Sequence, residues 1–300
     1  MALRKLLIIG ATGKQGGAVV NALIASSAPF EILALTRNTS SPAAQKLASK
    51  PNVTLVQGDS LHPAEIFEVH KPIYGVFLVT TFAPGKDQLE ESQAHPVIDE
   101  AVKNGVEHFV FTSVDRGGAG VSEKSPTDIP HFASKHRIEE YLKEKTSGTK
   151  TSRTILRPVA FMDNLVPAFI GKMFPAMWGQ SLGEDRKALQ LISVHDIGVF
   201  AANAFQRPQQ FEGRAISLAG DELTLAQAKK TFRDAMGYDM PVTFGFLGSV
   251  AMFMVKELGN MFKWFNDVGY GADIQALRKE EPKLQDFGTW LKESSAFKKQ

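Results

Sequence analysis

Gly10, Gly13, Gly16 and Gly17 fall within one short stretch, LLIIGATGKQGG, directly after an apolar run. A strand that turns through G-x-x-G-x-x-G into a helix is suited to one kind of chemistry, the holding of a phosphate group. Gly10 would allow the sharp turn. Gly13 would let a pyrophosphate approach the backbone, and Gly16 would let the helix pack closely on the sheet. The helix start then offers N–H groups and a partial positive charge. Gly10, Thr12, Gly13, Lys14, Gln15 and Gly16 are therefore the expected phosphate-side residues, and a glycine-rich turn that holds nothing is the alternative. A P-loop ATPase would need G-x-x-x-x-G-K-[ST], and Lys14 is followed by Gln15, so that rival fails.

The residue closing the second strand selects the dinucleotide. An acid there would hold ribose hydroxyls, as NAD sites do. Here ILALTRN places Arg37 at that point with no acid beside it. A guanidinium suits the 2′-phosphate of NADP(H), which a carboxylate would repel. Asn38, Ser40 and Ser41 could add hydrogen bonds, while a solvated surface arginine is the plainer reading. Asp59, followed by Ser60, closes the third strand in VQGDS. It could meet the adenine amino group, cap the next helix, or do both. Open α/β sheets bind ligands beyond the carboxyl ends of their strands, so Thr80, Thr81 and Phe82 after the fourth strand are expected near the cofactor. Phe161 and Asn164 after the sixth are expected near the nicotinamide. Phe161 could equally be core packing.

The elements that position these residues alternate. KLLII, FEILALT, NVTLVQG, YGVFLVT, EHFVFTS and SRTILRP read as strands, separated by helical stretches, among them Lys86 to Asn104. The strands are continuous apolar runs, the mark of a sheet covered on both faces. The expected fold is α/β, a Rossmann-type doubly wound parallel sheet with a smaller, mostly helical C-terminal part. The boundary is expected near residue 160, giving a nucleotide-binding domain over 1–160 and a substrate- or partner-binding part over 161–300. Strands at about 187–218 are expected to return to the main sheet.

Composition excludes several classes. The chain has 300 residues, a net charge of +2 and no cysteine. Thiol catalysis and disulfides are ruled out, and a clustered basic surface for nucleic acid is not expected. The apolar run after Arg4 and Lys5 is too short for a signal peptide. Val242 to Val255 is too short to span a membrane and reads as a buried helix or pocket wall. No metal site and no hydrolase elbow is expected, and the cytoplasm is the expected location, with the nucleus as a second.

Taken in order, GATGKQGG, LTRN, VQGD, VFLVT, GVEHFVFTS and HFASKHRIEEYL resemble the NmrA-like family, atypical members of the short-chain dehydrogenase/reductase superfamily. The resemblance is clear to about Leu165 and fades over the last third. It implies an NADP(H)-binding Rossmann domain with a smaller part closing over the nicotinamide. Some relatives reduce quinones or aromatic compounds, and others are redox sensors that regulate a partner protein. Typical superfamily members supply a serine from the FTS strand and Y-x-x-x-K from the next helix. By that resemblance Ser113, His131 and Lys135 are the candidate catalytic residues, Lys135 also holding the nicotinamide ribose. Histidine stands where tyrosine is usual, which puts the usual acid/base chemistry in doubt. His131 could still donate a proton, or be a plain helix-start residue. Two readings stay open. One is an NADPH-dependent reductase of an apolar or aromatic carbonyl or quinone. The other is a non-catalytic NADP(H)-binding regulator that docks a partner.

Overall fold

A computed structural model describes residues 3–83 and 88–299 of the chain. The expected alternation is present as β1 (Arg4–Ile8), α1 (Lys14–Ala25), β2 (Phe30–Thr36), α2 (Pro42–Ala48), β3 (Val53–Gln57) and α3 (Ala64–His70). It continues through β4 (Gly75–Leu78), α4 (Leu89–Lys103), β5 (His108–Thr112), the short α5 (Ala119–Ser122), α6 (Pro130–Thr146) and β6 (Ser152–Pro158). The helix expected from Lys86 begins at Leu89, and Lys86 itself lies outside the described residues.

The sheet order is β3-β2-β1-β4-β5-β6 with a seventh strand beyond β6, and pairing from β3 through β6 is parallel. This is a doubly wound Rossmann-like sheet. Strand order reverses between β1 and β4, which opens a crevice beyond their carboxyl ends. Every residue of β4 and β5 is buried, as continuous apolar runs require. One layer of the core joins Leu7, Leu33, Val76 and Phe109 of the strands to Ala94, Val97, Ile98 and Ala101 of α4. That 3–4 spacing on α4 is one helix face turned to the sheet.

The rest of the chain forms β7 (Ala160–Phe161), α7 (Phe169–Leu182), β8 (Leu189–Ile192), α8 (Val194–Gln206), α9 (Pro208–Phe211), β9 (Ala215–Leu218) and β10 (Asp221–Leu223). Five helices follow: α10 (Leu225–Met236), α11 (Gly245–Met254), α12 (Lys256–Asp267), α13 (Ile274–Glu280) and α14 (Phe287–Glu293). Thr224 and Gln227 form a reciprocal capping box that starts α10.

Two compact units result, and their boundaries interleave. The first comprises 1–114, 131–157 and 197–216, and the second 115–130, 158–196 and 217–300. A single boundary near 160 does not describe this. The physical reason is α8. Within the first unit it lies so close to α1 that a Cβ added at Gly198 would meet the Ala18 carbonyl carbon at 2.5 Å. Of the strands expected to return to the main sheet, β9 does so. β8 instead pairs with β7 and β10 in a separate three-stranded sheet.

The expectation of a buried stretch over Val242 to Val255 is corrected in part. Phe244, Phe253 and Met254 are 73%, 89% and 77% exposed. Among the described residues no helix is long and apolar enough to cross a membrane.

Candidate functional site

The glycine turn sits at the switch point of the sheet. Gly10 has φ +78°, and a Cβ there would lie 2.3 Å from Val79 Cγ1, just past β4. Only glycine combines that backbone conformation with that approach. At Gly16 a Cβ would collide with the Gly10 carbonyl oxygen at 2.2 Å, so the start of α1 is folded tightly onto the turn. Gly13 differs, because an added Cβ would meet only the Gly10 oxygen, at 3.2 Å. Its open side is the face a diphosphate would need. Gly13 is also the N-cap of α1, with no side-chain cap and no acid in the first turn. The positive end of the helix is therefore left uncompensated by its own residues. Thr12 and Lys14 are exposed beside it. Gln15 ties the turn to β5, accepting at Oε1 from Thr112 Oγ1 at 2.7 Å.

Arg37 follows β2 directly and is exposed. Among the described residues no hydrogen bond or ion pair engages its guanidinium. Its loop is shaped by its neighbours. Asn38 Oδ1 accepts from the Ser40 amide at 2.9 Å, and Ser41 caps α2. Asp59 Oδ1 accepts from the Leu61 amide at 3.0 Å in a turn that also carries Ser60. Its side chain thus orders the β3–α3 loop, and α3 begins later, after Pro63.

Past β4, Thr80 is buried in a polar knot that the sequence did not reveal. Lys135 Nζ donates to Thr80 Oγ1 at 2.6 Å and pairs with Glu90 Oε1 at 3.0 Å. Thr80 donates in turn to Glu90 Oε1 at 2.7 Å, and the Ser134 hydroxyl donates to Oε2. Lys135 also reaches the Thr112 carbonyl at 3.5 Å and lies over the Phe111 ring. Glu90 and Lys135 are 2% and 9% exposed. Burial pushes the Glu90 carboxyl up, but the Lys135 charge and the hydrogen bonds from Ser134, Thr80 and Lys135 outweigh it and leave it below the usual carboxylate range. Thr81 is exposed, its amide donating to Gln93 Oε1 at 2.8 Å. The Phe82 ring lies 5.2 Å from that of His131.

The three candidate catalytic residues have different surroundings. His131 is half-buried between Phe82 and Phe132. Ser113 is 5% exposed, and its hydroxyl donates to Glu139, which Arg157 Nε also engages at 3.0 Å. Ser113 thus belongs to a buried anchor between α6 and β6, while Lys135 belongs to the knot at β4. Phe161 is half-buried on β7 and Asn164 is exposed in the turn that follows. Both belong to the second unit, whereas the glycine turn, Arg37, Asp59 and Lys135 belong to the first.

Sequence reasoning missed Glu90, Ser134, Glu139 and Arg157. The acids in LEESQ read as first-turn carboxylates favoured by the helix dipole. Nothing local distinguishes Glu90, which turns inward, from its neighbour Glu91, whose Oε1 takes Arg137 at 2.6 Å.

Comparison with known proteins agrees with this architecture. The chain is 25% identical over 312 residues to an NmrA-like family domain-containing protein of Dictyostelium discoideum, covering 96% of this chain and 97% of that one. It is 26% identical over 266 residues to the nitrogen metabolite repression protein nmr of Neurospora crassa, covering 78% of this chain and 53% of that one. It is 32% identical over 183 residues to an NmrA-like family domain-containing oxidoreductase of Penicillium ochrochloron, covering 57% of this chain and 52% of that one. The chain thus spans about half the length of these last two relatives.

Among solved structures, NmrA, a negative transcriptional regulator, in complex with NADP superposes with a TM-score of 0.69 at 17% identity, covering 98% of this chain and 96% of that one. The NADPH-dependent quinone oxidoreductase QOR2 of Escherichia coli, complexed with NADPH, gives 0.71 at 21%, covering 95% and 97%. The triphenylmethane reductase of a Citrobacter species, complexed with NADP(H), gives 0.72 at 17%, covering 95% and 98%. At these identities the superpositions speak for the fold alone. The sequence pattern decides the family: its model matches from residue 3 to residue 291, through both units, and the chain belongs to the NmrA-like family.

Proposed function

We propose that the chain binds NADP(H) across the β1/β4 crevice. The observation that carries this reading is the glycine turn itself, open at Gly13, capped by no side chain, and set where strand order reverses. The free Arg37 guanidinium after β2 would take the 2′-phosphate. Asp59 and Ser60 would border the adenine. Thr80, Thr81, Phe82 and Lys135 would border the nicotinamide ribose. The complexes of NmrA with NADP and with NAD, and of the two reductases with NADP(H), support a nicotinamide dinucleotide as the cofactor, and Arg37 carries the choice of the phosphorylated one.

On this reading the protein is an NADPH-dependent reductase of a quinone or aromatic carbonyl. Bound NADPH supplies the hydride, and the chain's residues orient and neutralise. Lys135 would hold the ribose, and His131, flanked by aromatic rings, would be placed to donate a proton to the reduced oxygen. The test is turnover of NADPH against a panel of quinones and aromatic carbonyls. Turnover abolished by Lys135→Ala supports the reductase.

A second reading has its own observation. Phe169, Ile170, Phe244, Phe253 and Met254 are all large, apolar and more than half exposed, and all lie in the second unit. Such exposure favours a regulator that docks a partner protein through this unit. No turnover across the panel, with NADPH binding intact, selects it.

A further inference from the structure

We infer that Glu90 is the positioning residue for Lys135: its buried carboxylate holds the ammonium fixed at the end of β4, where the proposed cofactor ribose would lie. The inference deepens the NADP(H) reading and rests on it only for what Lys135 would touch.

An ammonium this deeply buried loses most of its hydration and needs a counter-charge close by. The knot supplies that counter-charge. Glu90 Oε1 lies 3.0 Å from Lys135 Nζ, and Thr80 Oγ1, at 2.6 Å, relays a second link by donating onward to the same oxygen. The Ser134 hydroxyl, one residue before Lys135, holds the other carboxylate oxygen. Three elements, β4, α4 and α6, thus converge on one charge pair. Among the described residues, the remaining groups around Lys135 do not replace Glu90. β5 offers the neutral Thr112 carbonyl and the Phe111 ring. On its own helix His131 and Glu139 stand one turn to either side, and Glu139 is engaged by Arg157 of β6. Elsewhere on α4, Glu91 is spent on Arg137.

Thr80 and Lys135 would otherwise be read as two separate cofactor ligands. The geometry makes them one unit with Glu90, so that removing the carboxylate alters the ligand without touching it. A purely structural salt bridge would affect stability alone, whereas a positioning role also carries the loss of the carboxylate into NADPH affinity.

The experiment is NMR of protein labelled with 13C at lysine Cε, the Lys135 signal being assigned by its loss in Lys135→Arg. In Glu90→Gln the Lys135 resonance should titrate at least about one pH unit lower than in the unaltered chain. Ser134→Ala, which removes one hydrogen bond and leaves the carboxylate, should shift it the same way by less. This milder variant decides the matter if Glu90→Gln does not fold. Glu91→Gln should leave it unchanged. NADPH affinity measured alongside should become pH-dependent in Glu90→Gln, falling about tenfold as Lys135 discharges. An unmoved Lys135 titration, or an NADPH affinity in the folded Glu90→Gln variant that matches the parent at every pH, overturns the inference. If the unaltered chain binds no NADPH, the cofactor reading fails, while the titration still decides what Glu90 does to Lys135.

Discussion

At the scale of single residues, the glycines separate folding from binding. A side chain at Gly16 has nowhere to go, because the nearest atoms are backbone atoms of Gly10 and Ala11. Gly16→Ala is expected to destabilise the chain by about 1–3 kcal/mol, the usual range for forced overpacking. Gly13→Ala presses only on the Gly10 oxygen, and little else has to move. Its stability is expected to change by less than about 1 kcal/mol. Its new methyl group would nonetheless occupy the diphosphate face, so NADPH affinity should fall at least about tenfold. Urea unfolding and a fluorescence titration on the same two variants check both statements. A Gly13→Ala protein that binds NADPH as tightly as the parent would mean that the turn does not hold the diphosphate. This glycine pattern was legible because its spacing is local. The Glu90–Lys135 pair was not, since the partners lie 45 positions apart on two different helices, and no local pattern announces such a meeting.

At the scale of elements, the join between β5 and β6 carries a pH dependence. His108 faces Ser152 in the register, is fully buried, and has ring nitrogens 2.5 Å from Ser152 Oγ and 2.9 Å from Thr154 Oγ1. Burial pushes its pKa down to about 4, so it is neutral in the folded chain. An unfolded chain takes up that proton near pH 6.5, well before the folded one does. The stability tied to the neutral ring is therefore complete above about pH 6.5 and is lost as the pH falls towards 4, by up to about 3 kcal/mol. Unfolding midpoints measured from pH 7 to pH 4.5 should decline along this limb, and His108→Gln should flatten it. Equal slopes in parent and variant would contradict the assignment. The parallel strands themselves were plain in the sequence, because β1, β4 and β5 are apolar without interruption. The membership of β8 in a second sheet was not, since LQLI pairs as readily with one neighbour as another until the fold chooses.

At the scale of the whole molecule, the second unit combines a tightly buried interior with an exposed apolar surface. Trp178 is fully buried and Phe253 is almost fully exposed. Trp178→Ala should cost about 3–5 kcal/mol, whereas Phe253→Asp should change stability by no more than about 0.5 kcal/mol. A large loss from Phe253→Asp, read by thermal unfolding, would show that this side chain is packed and that the regulator reading has lost its surface. The interleaving of the two units could not have been read from the sequence. Strand–helix rhythm stops at Pro158, and only tertiary packing returns residues 197–216 to the first unit.

The central claim is that backbone amides at the glycine turn grip a diphosphate while Arg37 selects the 2′-phosphate. Calorimetric titration of the purified chain with NADP and with NAD tests it most directly. Binding of NADP at least about tenfold tighter than NAD, with the preference erased in Arg37→Ala, is the predicted result. Equal affinity for the two dinucleotides, or no heat from either, would contradict the account.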